Sequence, residues 1–282
     1  MKSRKVEESV FKALMIASIM LVLCILAGII IVIVVRGASS LSLSMIIKTP
    51  EGGYYLGKGG GIANAIVGSL YLAFGASLLS FLLGLPIAFA LQKEYLGRRL
   101  AHLTRLSLDI LWGTPSIVFG AFGFILMVYL GLRASLLGGI IVLSLLMLPI
   151  MIRSIEEVIR MIPSELKEIS YAMGATRIET TLNVVLRQAL PGIVTGVLLA
   201  FGRGIGDAAS ILFTAGYTDY FPRSLFDPVA SLPLAVFFQV ATPIPEVQQR
   251  AYASALILLI IVLLISFGSR LLSRRFSRYI VR

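Results

Sequence analysis

The sequence predicts an all-α polytopic membrane protein with six transmembrane helices, both termini in the cytoplasm, and a helix–turn–helix elbow on the cytoplasmic side. Three observations predict it. Apolar residues make up 58% of the 282 and charged residues only 14%, with a mean hydropathy of +0.96, more apolar surface than a soluble domain of this size hides. The apolar residues are gathered in runs of roughly 20, the length that crosses a hydrocarbon core as a helix. Between those runs the basic residues fall in short blocks, far more of them in alternate connections than in the others.

In chain order, Met1 to Lys12 is polar and carries Lys2, Arg4, Lys5 and Lys12, and Ala13 to Val35 is an unbroken apolar run. Its length exceeds the roughly 7–15-residue core of a signal peptide, so it is expected to be a retained first span ending at Arg36. A loop with Pro50, Gly52–Gly53 and Gly59–Gly61 turns the chain back toward the membrane. The second span is expected over 62–91, with Pro86 near its end, followed by a basic loop with Lys93, Arg98, Arg99, His102 and Arg105. The third is expected over 106–130 and contains Asp109, Gly113, Pro115, Gly120 and Gly123; the fourth covers 135–152 and includes Pro149. Residues 153–189 form the elbow segment. The fifth span is expected over 190–214 and contains Pro191, Arg203 and Asp207. A polar and aromatic loop, 215–250, leads to the sixth, 251–267, and a basic tail with Arg270, Arg274, Arg275, Arg278 and Arg282. Together, 1–282 reads as a single transmembrane domain.

Charge sets the orientation. With both termini inside, 18 lysines and arginines are cytoplasmic, against 6 in the outer segments (Arg36, Lys48, Lys58, Arg133, Arg223 and Arg250). Cytoplasmic connections carry an excess of Lys and Arg, which gives an N-in, C-in topology and puts the elbow in the cytoplasm. The same topology accounts for the net charge of +11 without a nucleic-acid partner. The first helix of the elbow has apolar residues at Leu166, Ile169 and Met173, the second at Ile178, Leu182, Val185 and Leu186, both at helical spacing. Gly174 sits where a helix stop needs positive φ, and Thr176 with Glu179 has the spacing of a capping box that starts the next helix. Two readings are open for this surface: a docking site for a soluble partner, or an amphipathic pair lying on the membrane.

Arg203 and Asp207 fall inside a span. An ionisable group there costs about 3 kcal/mol or more, so such residues face the bundle interior and mark a pathway. Their i,i+4 spacing puts them within reach of each other. One reading gives Arg203 an oxyanion to hold, because its donors match phosphate oxygens; the other makes the pair a structural one. Asp109, one turn after Arg105, is expected to form a local pair with it. Tyr217, Tyr220, Phe221 and Phe226 in the last outer loop suit an interfacial belt or a surface that receives an extracytoplasmic binding protein. The sequence contains no G-x-x-x-x-G-K-[ST] loop, and it has one cysteine (Cys24) and one histidine (His102). P-loop ATP hydrolysis, a disulfide framework and a two-histidine zinc motif are excluded on those counts.

The elbow also carries a resemblance. Glu168–Ile169–Ser170, then Gly174–Ala175, then Leu190–Pro191–Gly192 resembles the signature of permease subunits of bacterial ABC importers, with Ile and Ser in place of its two alanines. GGGIANAIVGS (59–69), DILWGTPSIVFGAFG (109–123), PIMIRSIEEVIRMIPSELKEISYAMGATR (149–177), ILFTA (211–215), DPVASLPLAVFF and EVQQRAYASALIL resemble the phosphate-specific permeases of PstA type from Gly59 onward. Where that family shows Gly-Glu-Thr-Ala, this chain has Gly206–Asp207–Ala208–Ala209. The resemblance implies a subunit without an ATPase site of its own, coupled to an ATPase through Glu165, Glu168, Met173, Gly174 and Ala175, with Arg203, Asp207 and Asp109 along the substrate path. It implies a second permease (PstC type), an ATPase dimer (PstB type) that binds ATP and Mg, and an extracytoplasmic phosphate-binding protein (PstS type). No cofactor is expected in the chain itself. A permease of the same architecture for another small anion or polar solute, an ATPase-independent secondary transporter and a membrane enzyme are the competing classes. The last lacks a catalytic constellation in the sequence.

Overall fold

The computed structural model describes residues 2–53 and 59–276, with side chains described for 7–53 and 59–272. The basic side chains expected at Lys2, Arg4, Lys5, Lys58, Arg274, Arg275, Arg278 and Arg282 therefore lie outside the described side chains. Among the described residues, five helices are long and apolar enough to cross a membrane, and a sixth span results when one bent pair is taken together.

The first span is α1 (Lys2–Ser40). Its apolar side chains are exposed from Val10 to Val35, as lipid requires of a helix that is hydrophobic all round. It meets the rest of the chain near its C-terminal end. There Gly37 packs so closely on α11 (Pro245–Phe276) that a Cβ would stand 2.8 Å from the Tyr252 carbonyl oxygen, and Arg36 donates to the Tyr252 hydroxyl at 2.8 Å. A short α2 (Leu43–Ile47) and a two-residue antiparallel pairing of β1 (Pro50–Glu51) with β2 (Gly59–Gly60) complete the first outer loop.

The centre of the bundle is α3 (Ala63–Ala90) against α6 (Leu136–Arg160). Small residues on α3, among them Ala73, Ala76, Ser80 and Ala88, are fully buried. Such residues let backbones approach closely where no hydrophobic effect drives helices together. Ser80 donates to the Ser144 carbonyl oxygen at 2.8 Å, one polar link across this interface. Helix α6 starts at Ser135, whose hydroxyl accepts the Gly138 amide at 3.3 Å. Its first free amides, those of Leu136 and Leu137, are taken by the carbonyl oxygens of Asp227 and Leu225, each at 2.8 Å, so the outer loop serves as its cap. Pro149 lies inside α6, which runs on to Arg160, well past the expected end at 152.

Two expected spans are corrected in form. The third is two helices, α4 (Arg98–Gly113) and α5 (Ser116–Tyr129), bent by 101°. Pro115 has no N–H to continue the ladder and forces Thr114 into extended backbone, φ −75 and ψ 128. The fifth begins and ends earlier in the chain than expected. After the elbow helices α7 (Ser164–Ala172) and α8 (Arg177–Thr180) and a π-helical turn (Thr181–Val185), α9 covers Leu186–Ile205 and stops at Gly206. The expected stretch up to 214 is instead irregular. The outer loop contains one further helix, α10 (Leu232–Gln239), and Arg250, expected in that loop, lies within α11. Burial pushes the Asp219 carboxyl of this loop above the usual carboxylate range, against the opposing pull of Arg250.

Candidate functional site

Helices α6 and α9 run antiparallel in close contact, because α9 presents glycine where α6 presents side chains. A Cβ at Gly192, Gly196 or Gly204 would run into Val158, Ser154 or Met147 respectively. Met147 is about midway along α6, so Arg203, next to Gly204, lies near mid-depth in the bilayer. The break between α4 and α5 comes to the same place. Arg203 Nη2 donates to the hydroxyl of Ser116, the first residue of α5, at 3.3 Å, and Nη1 donates to Asp207 Oδ1 at 3.3 Å. The other carboxylate oxygen of Asp207 accepts the Ser210 amide at 2.9 Å.

Burial separates the two partners. The Asp207 side chain is 5% exposed and that of Arg203 is 49% exposed. Asp207 is thus a fixed group beneath the surface, and the guanidinium lies over it on an open face of the chain. Asp207 sits just beyond the end of α9, not within a continuing helix, and its amide still reaches back to the Gly204 carbonyl oxygen at 3.1 Å. Gly120 seats α5 on this turn: a Cβ there would stand 2.8 Å from the Ala209 carbonyl oxygen. The N-cap of α5 is Pro115, which supplies no side-chain acceptor, so the first amides of α5 add partial positive charge near Arg203.

Asp109 is elsewhere. It pairs with Arg153 of α6, and the expected local pair with Arg105 does not form. Arg105 crosses to Glu156 instead, with Nε at 2.9 Å from Oε1, and also donates to the Leu91 carbonyl oxygen at 3.0 Å. Glu156 is the residue that sequence reasoning missed. Its side chain is 2% exposed, and Arg160 binds it at 2.6 Å as well. A signal was present, since Ile152, Ile155 and Ile159 define the buried face of α6 and 156 falls on it, between Arg153 and Arg160 at helical spacing.

The elbow forms as its residues dictate. Gly174 has φ +88, with its amide on the Tyr171 carbonyl oxygen at 2.9 Å and the Ala175 amide on that of Ser170 at 3.2 Å. The Thr176 hydroxyl accepts the Glu179 amide, and the Glu179 carboxylate accepts the Thr176 amide, a complete capping box. Ser170 and Thr180 share a hydroxyl–hydroxyl hydrogen bond of 2.9 Å that ties α7 to α8. The preceding loop clamps the elbow from one side, with Lys167 on Glu94 at 3.0 Å and Tyr95 donating to the Arg177 carbonyl oxygen at 2.8 Å. The apolar residues divide. Leu166, Val185 and Leu186 pack inward, whereas Ile169, Met173 and Ile178 point out, Met173 at 83% exposure. Glu165 and Glu168 are exposed beside them, and Ala175 is half-buried. In the outer loop, Tyr220, Phe221 and Phe226 are exposed, while Tyr217 packs edge-on against Phe238.

Packed spans, one of them broken at mid-depth beside a charged pair, and a cytoplasmic elbow with an outward apolar tip define the membrane subunit of a transport system. The chain belongs to the family of binding-protein-dependent transport system inner membrane components, whose sequence model matches residues 80–280. It is 35% identical over 242 residues to the phosphate transport system permease protein PstA of Yersinia pestis, spanning 85% of this chain and 80% of that one. It is 36% identical over 215 residues to the phosphate transport system permease protein PstA 1 of Mycobacterium tuberculosis, spanning 76% and 70%. A chain of the MetNI methionine ABC transporter in an inward-facing conformation shares the fold, with a TM-score of 0.63 at 21% identity over 76% of this chain and 95% of that chain.

Proposed function

We propose that this chain is the permease subunit of an ATP-driven importer that carries inorganic phosphate across the cytoplasmic (inner) membrane into the cell. The observation that carries the reading is the state of Arg203: a guanidinium near mid-depth, half exposed and held by two long hydrogen bonds of 3.3 Å to Ser116 and Asp207. A transport site needs to attract an oxyanion and then release it, which calls for a weak site and not a cage. Guanidinium donors supply the attraction, the uncapped start of α5 adds to it, and Asp207 competes for the same donors and limits it. Relatives with the phosphate transport name support the substrate.

In this reading the path runs along the open face bearing Arg203, completed by a second permease of PstC type. An ATPase dimer of PstB type receives Met173, Gly174 and Ala175, with Glu165 and Glu168 at the rim of the contact. That partner binds ATP and Mg and performs the hydrolysis; this chain is not an enzyme and binds no cofactor. A phosphate-binding protein of PstS type delivers the ion from outside, against the loop bearing Tyr220 and Phe226. ATP binding closes the ATPases, the elbows are drawn together, and the spans rock between inward-open and outward-open states.

The test is uptake of radiolabelled phosphate by the reconstituted complex carrying Arg203→Met. Uptake should fall tenfold or more while ATP hydrolysis by the detergent-purified complex persists. Uptake within twofold of the unaltered complex would leave Arg203 as a packing partner of Asp207 and remove the basis of the reading.

A further inference from the structure

A second concentration of positive charge lies at the cytoplasmic end of the bundle, away from Arg203. A cavity of about 850 Å³ opens between the loop that follows α3 and the base of the elbow. Five cations line it: Lys93, Arg98, Arg105, Arg160 and Lys167. They come from two separate stretches of chain, 93–105 and 160–167, and meet only because of the fold. Two carboxylates answer them. Glu156, buried behind the wall, takes Arg105 and Arg160, and Glu94 takes Lys167.

Lys93 and Arg98 are left over. Among the described residues neither has a carboxylate within ion-pair distance, although both line the same cavity. Among the described residues their charge is therefore not neutralised, and a concave site with an excess of one sign of charge concentrates counter-ions. The start of α4 (Gly97 and Arg98) also lines it, and Gly97 offers no side-chain cap.

The depth of the cavity narrows its ligand. Leu100, Leu103, Leu106 and Ile110 form an exposed apolar stripe along α4 at helical spacing, which is the face a helix turns to lipid tails. The stripe begins two residues after Arg98. The boundary between hydrocarbon and headgroups therefore falls at the first turn of α4, and the cavity opens at headgroup level on the cytoplasmic side. We propose that it is a binding site for a phosphate group, held by Lys93 and Arg98 with Arg160 and Lys167 beside them. Both the headgroup of an anionic phospholipid and free cytoplasmic phosphate present that chemistry. Occupancy would tie the 93–98 loop to the base of α7, the first helix of the elbow.

The experiment uses the purified complex with a Lys93→Gln, Arg98→Gln double variant, and a Lys93→Arg, Arg98→Lys variant that keeps both charges. One arm measures phosphatidylglycerol retained in native mass spectra after exchange from nanodiscs of phosphatidylglycerol and phosphatidylcholine. The other measures binding of radiolabelled inorganic phosphate in phosphatidylcholine nanodiscs, with Arg203→Met in the background to silence the transport path. A fivefold or greater loss in the glutamine variant, restored by the charge-keeping one, is expected in one arm. Loss in the lipid arm identifies a headgroup, and loss in the second arm identifies free phosphate. Equal binding by all variants in both arms would overturn the proposal and leave the cations as topology determinants.

Discussion

Arg105 on α4 donates through Nε to Oε1 of Glu156 on α6, at 2.9 Å, and that carboxylate is 2% exposed. The bond joins the inner half of the broken span to the helix that leads directly into the elbow. With Arg160 at 2.6 Å on the same oxygen, Glu156 is where the cytoplasmic ends of α4 and α6 are tied together.

Removing that carboxylate leaves Arg105 and Arg160 without their acid, with Arg153, 4.0 Å from its other oxygen, beside them. Breaking a buried pair by truncating one partner costs about 3–5 kcal/mol, and the partly solvated arginines here point to the lower end. Glu156→Ala should lower the melting temperature of the purified complex clearly, and Glu156→Gln, which keeps the volume and one acceptor, should lower it less. Equal melting of both variants and the unaltered complex would mean that the cluster is a surface ion pair in practice.

Gly174→Ala tests the elbow without a steric confound, since a Cβ at Gly174 meets nothing within 4 Å but the residue keeps φ +88. The left-handed conformation costs an L-residue about 1–2 kcal/mol. The variant should insert normally and bind its partner less well, with phosphate uptake reduced several-fold relative to ATP turnover. Gly174→Asn, which tolerates this φ better, should recover part of the loss. Unchanged uptake per ATP in both variants would make the elbow a passive connector.

Asp207→Asn removes the competitor for Arg203 while preserving shape and the acceptor for the Ser210 amide. Phosphate should then be held more tightly and released more slowly, so turnover falls at saturating phosphate while half-saturation shifts to lower concentration. A variant that simply fails to assemble would instead point to a structural pair. Co-purification of the partner chains separates the two outcomes.

Gly68→Val should be among the most damaging single changes in the spans. A Cβ there would overlap the carbonyl oxygen of Ala230, a backbone atom that cannot rotate away. Overpacking costs about 1–3 kcal/mol even where side chains can adjust. The measurement is the yield of folded complex by size-exclusion chromatography, with Gly97→Val, where nothing lies within 4 Å, as the tolerated control.

Much of this was legible because the signals were local. Thr176 and Glu179 announce their helix start through two atoms three residues apart, and Gly174 its stop through the lack of a Cβ. Mid-span charge made Arg203 and Asp207 visible for the same reason. The pairing of Asp109 with Arg153 and of Arg105 with Glu156 depends on the angle at which α4 crosses α6, which no short window contains. A proline such as Pro115 bounds or kinks a helix, but the size of the bend, 101°, depends on what α5 packs on, with Ala209 and Ser210 against Gly120. The early end of α9 escaped because the apolar run continues through Ile211, Leu212 and Phe213. Hydropathy cannot tell a helix from an irregular segment buried in protein.

The broken span has a consequence for the life of the chain before assembly. At Thr114–Pro115 the backbone ladder is interrupted near mid-bilayer, and an amide or carbonyl group left facing lipid costs several kcal/mol. Thr114 covers part of the break itself, its amide donating to the Leu111 carbonyl oxygen at 3.3 Å and its hydroxyl to that of Ile110 at 2.8 Å, and the rest is left for a neighbour to cover. A copy made without that neighbour is expected to be cleared faster than an assembled one, which a pulse-chase measurement of the two would show.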